Sequence, residues 1–251
     1  MTTHWKLYSL IVVSACSLPV FCADLKIPEL SYEYGAVKDN SCEKMTQQGL
    51  DFAIKPGLDH HTQIMKEANS LTPLLQQQWN TEGKKLLTAL LSLVGRNYSR
   101  NEIIVYTTAC DSGGMSTPFT VGIGSHLKSI KRKPTPLSDN VTLTFHEFIH
   151  RYLVDSFDYS KSEVLKEFQN SPAIFKNHLH LMALMERSME HAGLQNLIQP
   201  YENSIERSKP YRRAWKIATS KKYQDRLIKE TKEFKGSNEN YWFFDPKLKS
   251  P

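Results

Sequence analysis

In a stretch whose caps and apolar spacing predict a helix from about Asn140 to Val154, five residues read His146-Glu147-Phe148-Ile149-His150. Four residues advance a helix by about 400°, so both imidazoles stand on one face a turn apart and can hold a single Zn2+. Glu147 projects beside them, within reach of a water on that metal. Zinc lowers the pKa of such a water toward 7, a carboxylate takes its proton, and the hydroxide attacks a carbonyl that the metal also polarises. Phe145, Phe148 and Ile149 supply the apolar flanks that would bury the helix. The bland alternative is a helix face on which the three polar residues meet solvent or satisfy one another in a core.

Composition allows such a helix to be buried. With 40% hydrophobic and 23% charged residues the chain can build a sizeable core, and a mean hydropathy of −0.46 excludes a multi-spanning membrane protein. The first 23 residues differ from the rest. Lys6 precedes the mostly apolar run Leu7 to Val13, then Ala15, Leu18, Val20 and Phe21, with no acidic residue before Asp24. This reads as a secretory signal peptide cleaved near Cys22 or Ala23, and Ser14, Ser17 and Pro19 interrupt it too often for a membrane span. A competing reading takes Val13-Ser14-Ala15-Cys16 as a lipobox that would anchor the chain through Cys16. The expected location is secreted or periplasmic.

Removing residues 1 to 23 leaves 251 − 23 = 228 residues and, with Lys6 gone and no carboxylate lost, takes the formal charge from +6 to +5. The concentrated basic run Lys128, Lys131, Arg132 and Lys133 has no nucleic-acid-binding motif beside it, so it reads as a solvated loop and no nucleic-acid partner is expected. Cys42 and Cys110 are the two cysteines left. In an oxidising compartment a disulfide between them would stabilise by about 4 kcal/mol.

The order of elements points to an α+β fold: a small N-terminal sheet, then a helical half, in one domain over residues 24–251. Residues 24 to 42 read as an irregular or strand-containing lead-in, and Leu50 to Ile54 as a strand. Ser70-Leu71-Thr72-Pro73 predicts the start of an amphipathic helix that runs to Gly95. Ile103 to Thr108 and Phe119 to Ile123 predict neighbouring strands around Gly113-Gly114, and Ser171-Pro172 to Gly193 a further helix. The stretch from about Pro210 to Phe234 reads as helical, and the aromatic Tyr241-Trp242-Phe243-Phe244 as a tail packed back on the domain.

The two-histidine helix, preceded by a small sheet and followed by a second helix, resembles the zincin clan of metallopeptidases over roughly Ile103 to Gly193. The resemblance implies a zinc-dependent peptidase with His146 and His150 as ligands and Glu147 as general base, acting on peptide or protein substrates. It also implies that the strand before the active helix, in the place of Phe119 to Gly124, is an edge strand that pairs with extended substrate. Leu153 and Ser156 stand where the extended metzincin motif has a glycine and its third histidine, so the third ligand must come from later. His178 falls near the centre of the apolar arc of the second helix and is the preferred candidate. Glu186, with Glu190 four residues on, resembles the gluzincin arrangement, and His180, projecting about 200° from His178 toward an expected wetter side, is the other alternative. Two further functions stand beside the peptidase: a non-catalytic secreted zincin-like binding protein, and serine hydrolysis at Ser112 in the segment Cys110-Asp111-Ser112-Gly113-Gly114, which a turn between strands explains equally well.

Overall fold

The computed structural model describes residues 25–35, 60–109 and 113–236. The signal segment, Cys16, Cys42, Cys110, Ser112, the strand expected at Leu50 to Ile54 and the aromatic tail lie outside them. Among the described residues no helix is long and apolar enough to cross a membrane.

The architecture is α+β. Strand β1 (Glu29–Tyr34) alternates exposed and buried residues, turning Leu30 and Tyr32 inward, and β2 (Glu102–Thr108) does the same with Ile103 and Val105. This period of two lays one face of each strand on the core. They pair in parallel with Leu30 opposite Ile103 and Tyr32 opposite Val105. Strand β3 (Gly114–Ser116) and β4 (Phe119–Gly122) form an antiparallel pair, and β4 also runs parallel to β2, giving the order β1-β2-β4-β3. All four residues of β4 are buried, which suits an inner strand. Among the described residues the edge strand beside the helix that carries His146 and His150 is therefore β3, not the Phe119 to Gly124 segment that the zincin order implied.

Between β1 and β2 the chain crosses over through α1 (His60–Gln78), a single π-type turn (Trp79–Gly83) and α2 (Lys84–Val94). The helix starts earlier than Ser70-Leu71-Thr72-Pro73 indicated. The hydroxyls of Ser70 and Thr72 do not cap it but bond back to the Glu67 and Ala68 carbonyls, and Pro73 lies inside it. Trp79 is fully buried, and a Cβ on Gly83 would stand 2.2 Å from its ring. Glycine is thus required where the turn widens around the indole. Gly95, at φ 65°, ends α2 in the left-handed region that glycine adopts without strain.

The long helix α3 (Ser138–Ser156) packs against β3 and β4 on one side and against the second half of the molecule on the other. There follow short α4 (Glu163–Glu167), α5 (Ala173–Asn177), α6 (Leu179–His191), α7 (Ile198–Ile205), α8 (Lys209–Ala218) and α9 (Gln224–Glu233). Helix α6 is the hub: α2, α3, α8 and α9 all pack on it, and its residues from Leu179 to Met185 are buried throughout. A helix surrounded on all sides loses the one-sided apolar stripe that a surface helix shows. The helix expected over Ser171 to Gly193 is thus two, broken at His178, whose φ of −100° and ψ of −6° separate α5 from α6.

Candidate metal centre

Helix α3 carries His146 and His150 one turn apart, with ring centroids 4.8 Å from each other. The break between α5 and α6 brings in His178, 5.2 Å from the first ring and 4.7 Å from the second. One ring nitrogen of each lies within 4.8 Å of the others. The Nε2 atoms of His150 and His178 are 3.1 Å apart. Two ligands at about 2.05 Å in a tetrahedral zinc site are separated by roughly 3.3 Å, so the spacing is close to what a shared ion asks for.

The free nitrogens are set by what the others bond. His178 Nδ1 lies 2.6 Å from the Ile174 carbonyl, which only accepts, so Nδ1 carries the proton and Nε2 keeps its lone pair. His146 Nδ1 is 2.8 Å from the Tyr201 hydroxyl on α7, which leaves its Nε2 for the centre. Burial lowers the pKa of all three, that of His178 to about 4, with neighbouring imidazole charge adding to the effect at His146 and His150. Neutral imidazole is the ligating form. No carboxylate belongs to the group, so the donor set fits a three-histidine zinc site with one position left open.

Glu147 stands next to the trio but outside it. Its side chain is buried beneath β3, where a Cβ on Gly114 would come to 2.5 Å from its Cγ and 2.7 Å from its Oε1. The carboxyl occupies the space that a glycine leaves free. Burial pushes its pKa up to about 8. Arg151, one position after His150, donates from Nη1 to the Ser116 carbonyl at 3.1 Å and from Nε to the Tyr98 hydroxyl, so α3 is tied to β3 directly behind the site.

Two tyrosines close the centre. Tyr201 is buried, and Tyr211 at the start of α8 packs edge-on to His178 at 4.2 Å between centroids. Burial raises the pKa of both; Tyr211 and the Glu147 charge add to it at Tyr201, and the Glu147 charge adds to it at Tyr211. Neither was legible beforehand: they stand 55 and 65 positions after His146 with no spacing that marks them, and only the packing of α7 and α8 brings them in.

The other candidates have different partners. His180 is fully buried rather than on a wetter side, because α9 covers that side of α6; its Nε2 lies 2.9 Å from Glu230 Oε2 and its ring packs tilted against Phe157 at 4.5 Å between centroids. Glu186 accepts from Gln224 Nε2 at 2.6 Å, and burial with the Glu190 charge pushes its pKa to about 7; Glu190 pairs with Arg187. Neither joins the histidine group. The basic run Lys128, Lys131, Arg132 and Lys133 is exposed, as a solvated loop should be. Comparisons with family models, with curated proteins and with solved structures find no match for this chain.

Proposed function

We propose that this chain is a zinc-dependent peptidase, secreted or periplasmic, that hydrolyses peptide bonds in peptide or protein substrates. The observation that carries this reading is the convergence of His146, His150 and His178 with Glu147 alongside and not among them. A Zn2+ held by the three imidazoles supplies a Lewis acid and lowers the pKa of water. Glu147, offset by about 100° from His146 on α3, takes the proton from the attacking water and later delivers it to the leaving amine. Tyr201 orients His146 through Nδ1, and its hydroxyl accepts from Nδ1–H when Nε2 is the ligating atom. Tyr211 supplies a phenol O–H for the carbonyl oxygen on which charge develops. Strand β3, the edge of the sheet among the described residues, offers backbone groups to an extended substrate beside the centre.

The test is metal content together with hydrolysis. Purified protein should contain about one zinc per chain, and His146→Ala, His150→Ala and His178→Ala should each lose most of it. Glu147→Gln keeps the shape without the proton acceptor, so it should retain zinc and lose at least roughly 10²-fold in turnover on an unbiased peptide mixture. Unchanged zinc in the histidine variants would sink the site. Zinc bound without hydrolysis of any peptide would select a binding scaffold instead.

A further inference from the structure

Helix α8 reads KPYRRAWKIA, with four cations and no carboxylate. Lys209, Arg212, Arg213 and Lys216 are all exposed, and at 100° per residue they fall within an arc of about 100°. Each stands three or four positions from another, the spacing at which like charges destabilise a helix, and Lys209 sits in the first turn, where the helix dipole disfavours a cation. Arg212 alone of the four has a carboxylate partner among the described ion pairs, Glu206 at 2.9 Å. Lys209 and Lys216 have no partner among the described ion pairs, hydrogen bonds and ring contacts, so folding does not account for them. The cationic stripe borders a groove of 590 Å³ whose apolar surface is offered by Pro172 and Pro210, with Phe175 buried beneath them. One wall is held in place by Arg213, whose guanidinium carbon lies 4.5 Å from the Phe175 ring centroid. Tyr211 projects about 200° away from Lys209, toward His178, so the groove lies on the far side of the helix that closes the metal centre.

We propose that this groove is a docking site for an acidic polypeptide segment, which sets its carboxylates on the cations of α8 and an apolar side chain against Pro172 and Pro210. The charge selects an anion, and the recess selects its kind. A nucleic-acid backbone engages cations without needing an apolar pocket. A membrane surface takes apolar groups that protrude from a protein, not a hollow that receives them. Binding here uses none of His146, Glu147, His150 or His178, so it needs neither metal nor hydrolysis.

The experiment measures fluorescence anisotropy of a labelled peptide Asp-Glu-Phe-Asp-Glu-Leu with the full chain carrying Glu147→Gln, so that the probe is not cut. The amide counterpart Asn-Gln-Phe-Asn-Gln-Leu should bind at least about 10-fold more weakly, and raising salt should weaken the acidic peptide, since exposed charges are screened within about 10 Å at 0.1 M. Adding Lys209→Gln with Lys216→Gln should cost the acidic peptide a similar factor while leaving zinc content and helicity unchanged. Equal binding of the two peptides, no binding of either, or displacement of the acidic peptide by an oligonucleotide or by phosphatidylserine vesicles more effectively than by its unlabelled copy would overturn the assignment. The peptide comparison needs no α8 variant, so it stands even where the double substitution fails to fold.

Discussion

Gly114→Ala isolates the fit between the edge strand and the acid-base residue. The backbone of Gly114 does not lie in the left-handed region, so alanine meets no conformational strain there. What it meets is Glu147, whose Cγ, Oε1 and Cδ would lie 2.5, 2.7 and 2.9 Å from the new Cβ. Restoring ordinary contact of about 3.5 Å between carbons requires a shift of roughly 1 Å in the strand or the carboxylate. Overpacking of this kind costs about 1–3 kcal/mol of stability. A misplacement of that size at a reacting group costs on the order of 10²-fold in rate. The three histidines are not touched, so zinc per chain should not change. The assay is turnover on the peptide mixture, zinc by elemental analysis and a denaturant midpoint, with Gly35→Ala as control because its Cβ meets its nearest neighbours only at 3.4 Å. Wild-type turnover and stability in Gly114→Ala, or loss of zinc with turnover, would refute the reasoning.

Tyr201→Phe removes the hydroxyl that bonds His146 Nδ1 and should weaken zinc binding by about 10- to 100-fold in a chelator competition, with the fold intact. His180→Phe leaves Glu230 buried without its imidazole; it should cost about 1–3 kcal/mol in chemical denaturation while zinc content stays at the wild-type level, and loss of zinc would instead return His180 to the ligand set. In metal-free protein carrying Glu147→Gln and Glu186→Gln, which removes the two carboxyls whose raised pKa values of about 8 and about 7 would add stability as pH falls, stability should drop as pH falls. Burial holds the folded pKa of His180, like those of His146, His150 and His178, below the ordinary 6.5, so their contribution is complete above that pH and lost beneath it. Glu230 adds to the loss once pH drops below 4.5, because hydrogen bonds from His180, Ser162 and Val164 outweigh its burial and keep its pKa low. A denaturant midpoint that is flat or rising from pH 7 to pH 4 would contradict this.

How far the sequence reaches is visible within the site. His146 and His150 share a face because a helix repeats every 3.6 residues, and nothing beyond α3 is needed to know it. His178 was placed by the same periodicity on a buried arc, and it is buried, but the geometry that brings its Nε2 to His150 comes from a break in the helix. That break has no glycine or proline at the position itself. His180 shows where a helical wheel stops: the wheel gives a direction, and whether water or α9 lies in that direction depends on packing 50 residues further along the chain. Likewise Gly113-Gly114 could be read as a turn between strands, while the use of Gly114 as a space for Glu147 is a contact between separate elements. The edge position of β3 was missed for a related reason, since a three-residue strand carries too little alternation to be distinguished from a turn.

The distribution of partners also determines what metal binding does to the fold. His146 and His150 are held by α3, which is packed on the sheet and tied to β3 through Arg151, so two of the three donors are fixed by the N-terminal half of the domain. The third donor and both tyrosines belong to α5 through α8, which rest on the hub helix α6. An ion shared by His150 and His178 therefore bridges the two halves. Without it, the buried His146 and His178 and the half-buried His150 are neutral imidazoles packed next to one another. Metal that binds the folded chain and not the unfolded one stabilises the fold by mass action, so the midpoint of unfolding should rise with free zinc. The same ion should hold the break between α5 and α6, on which Tyr211 of α8 packs, more firmly against α3. Tyr211 and the cationic stripe are carried on opposite sides of α8, so a segment docked in the groove and a metal at the centre would bear on one element from its two faces.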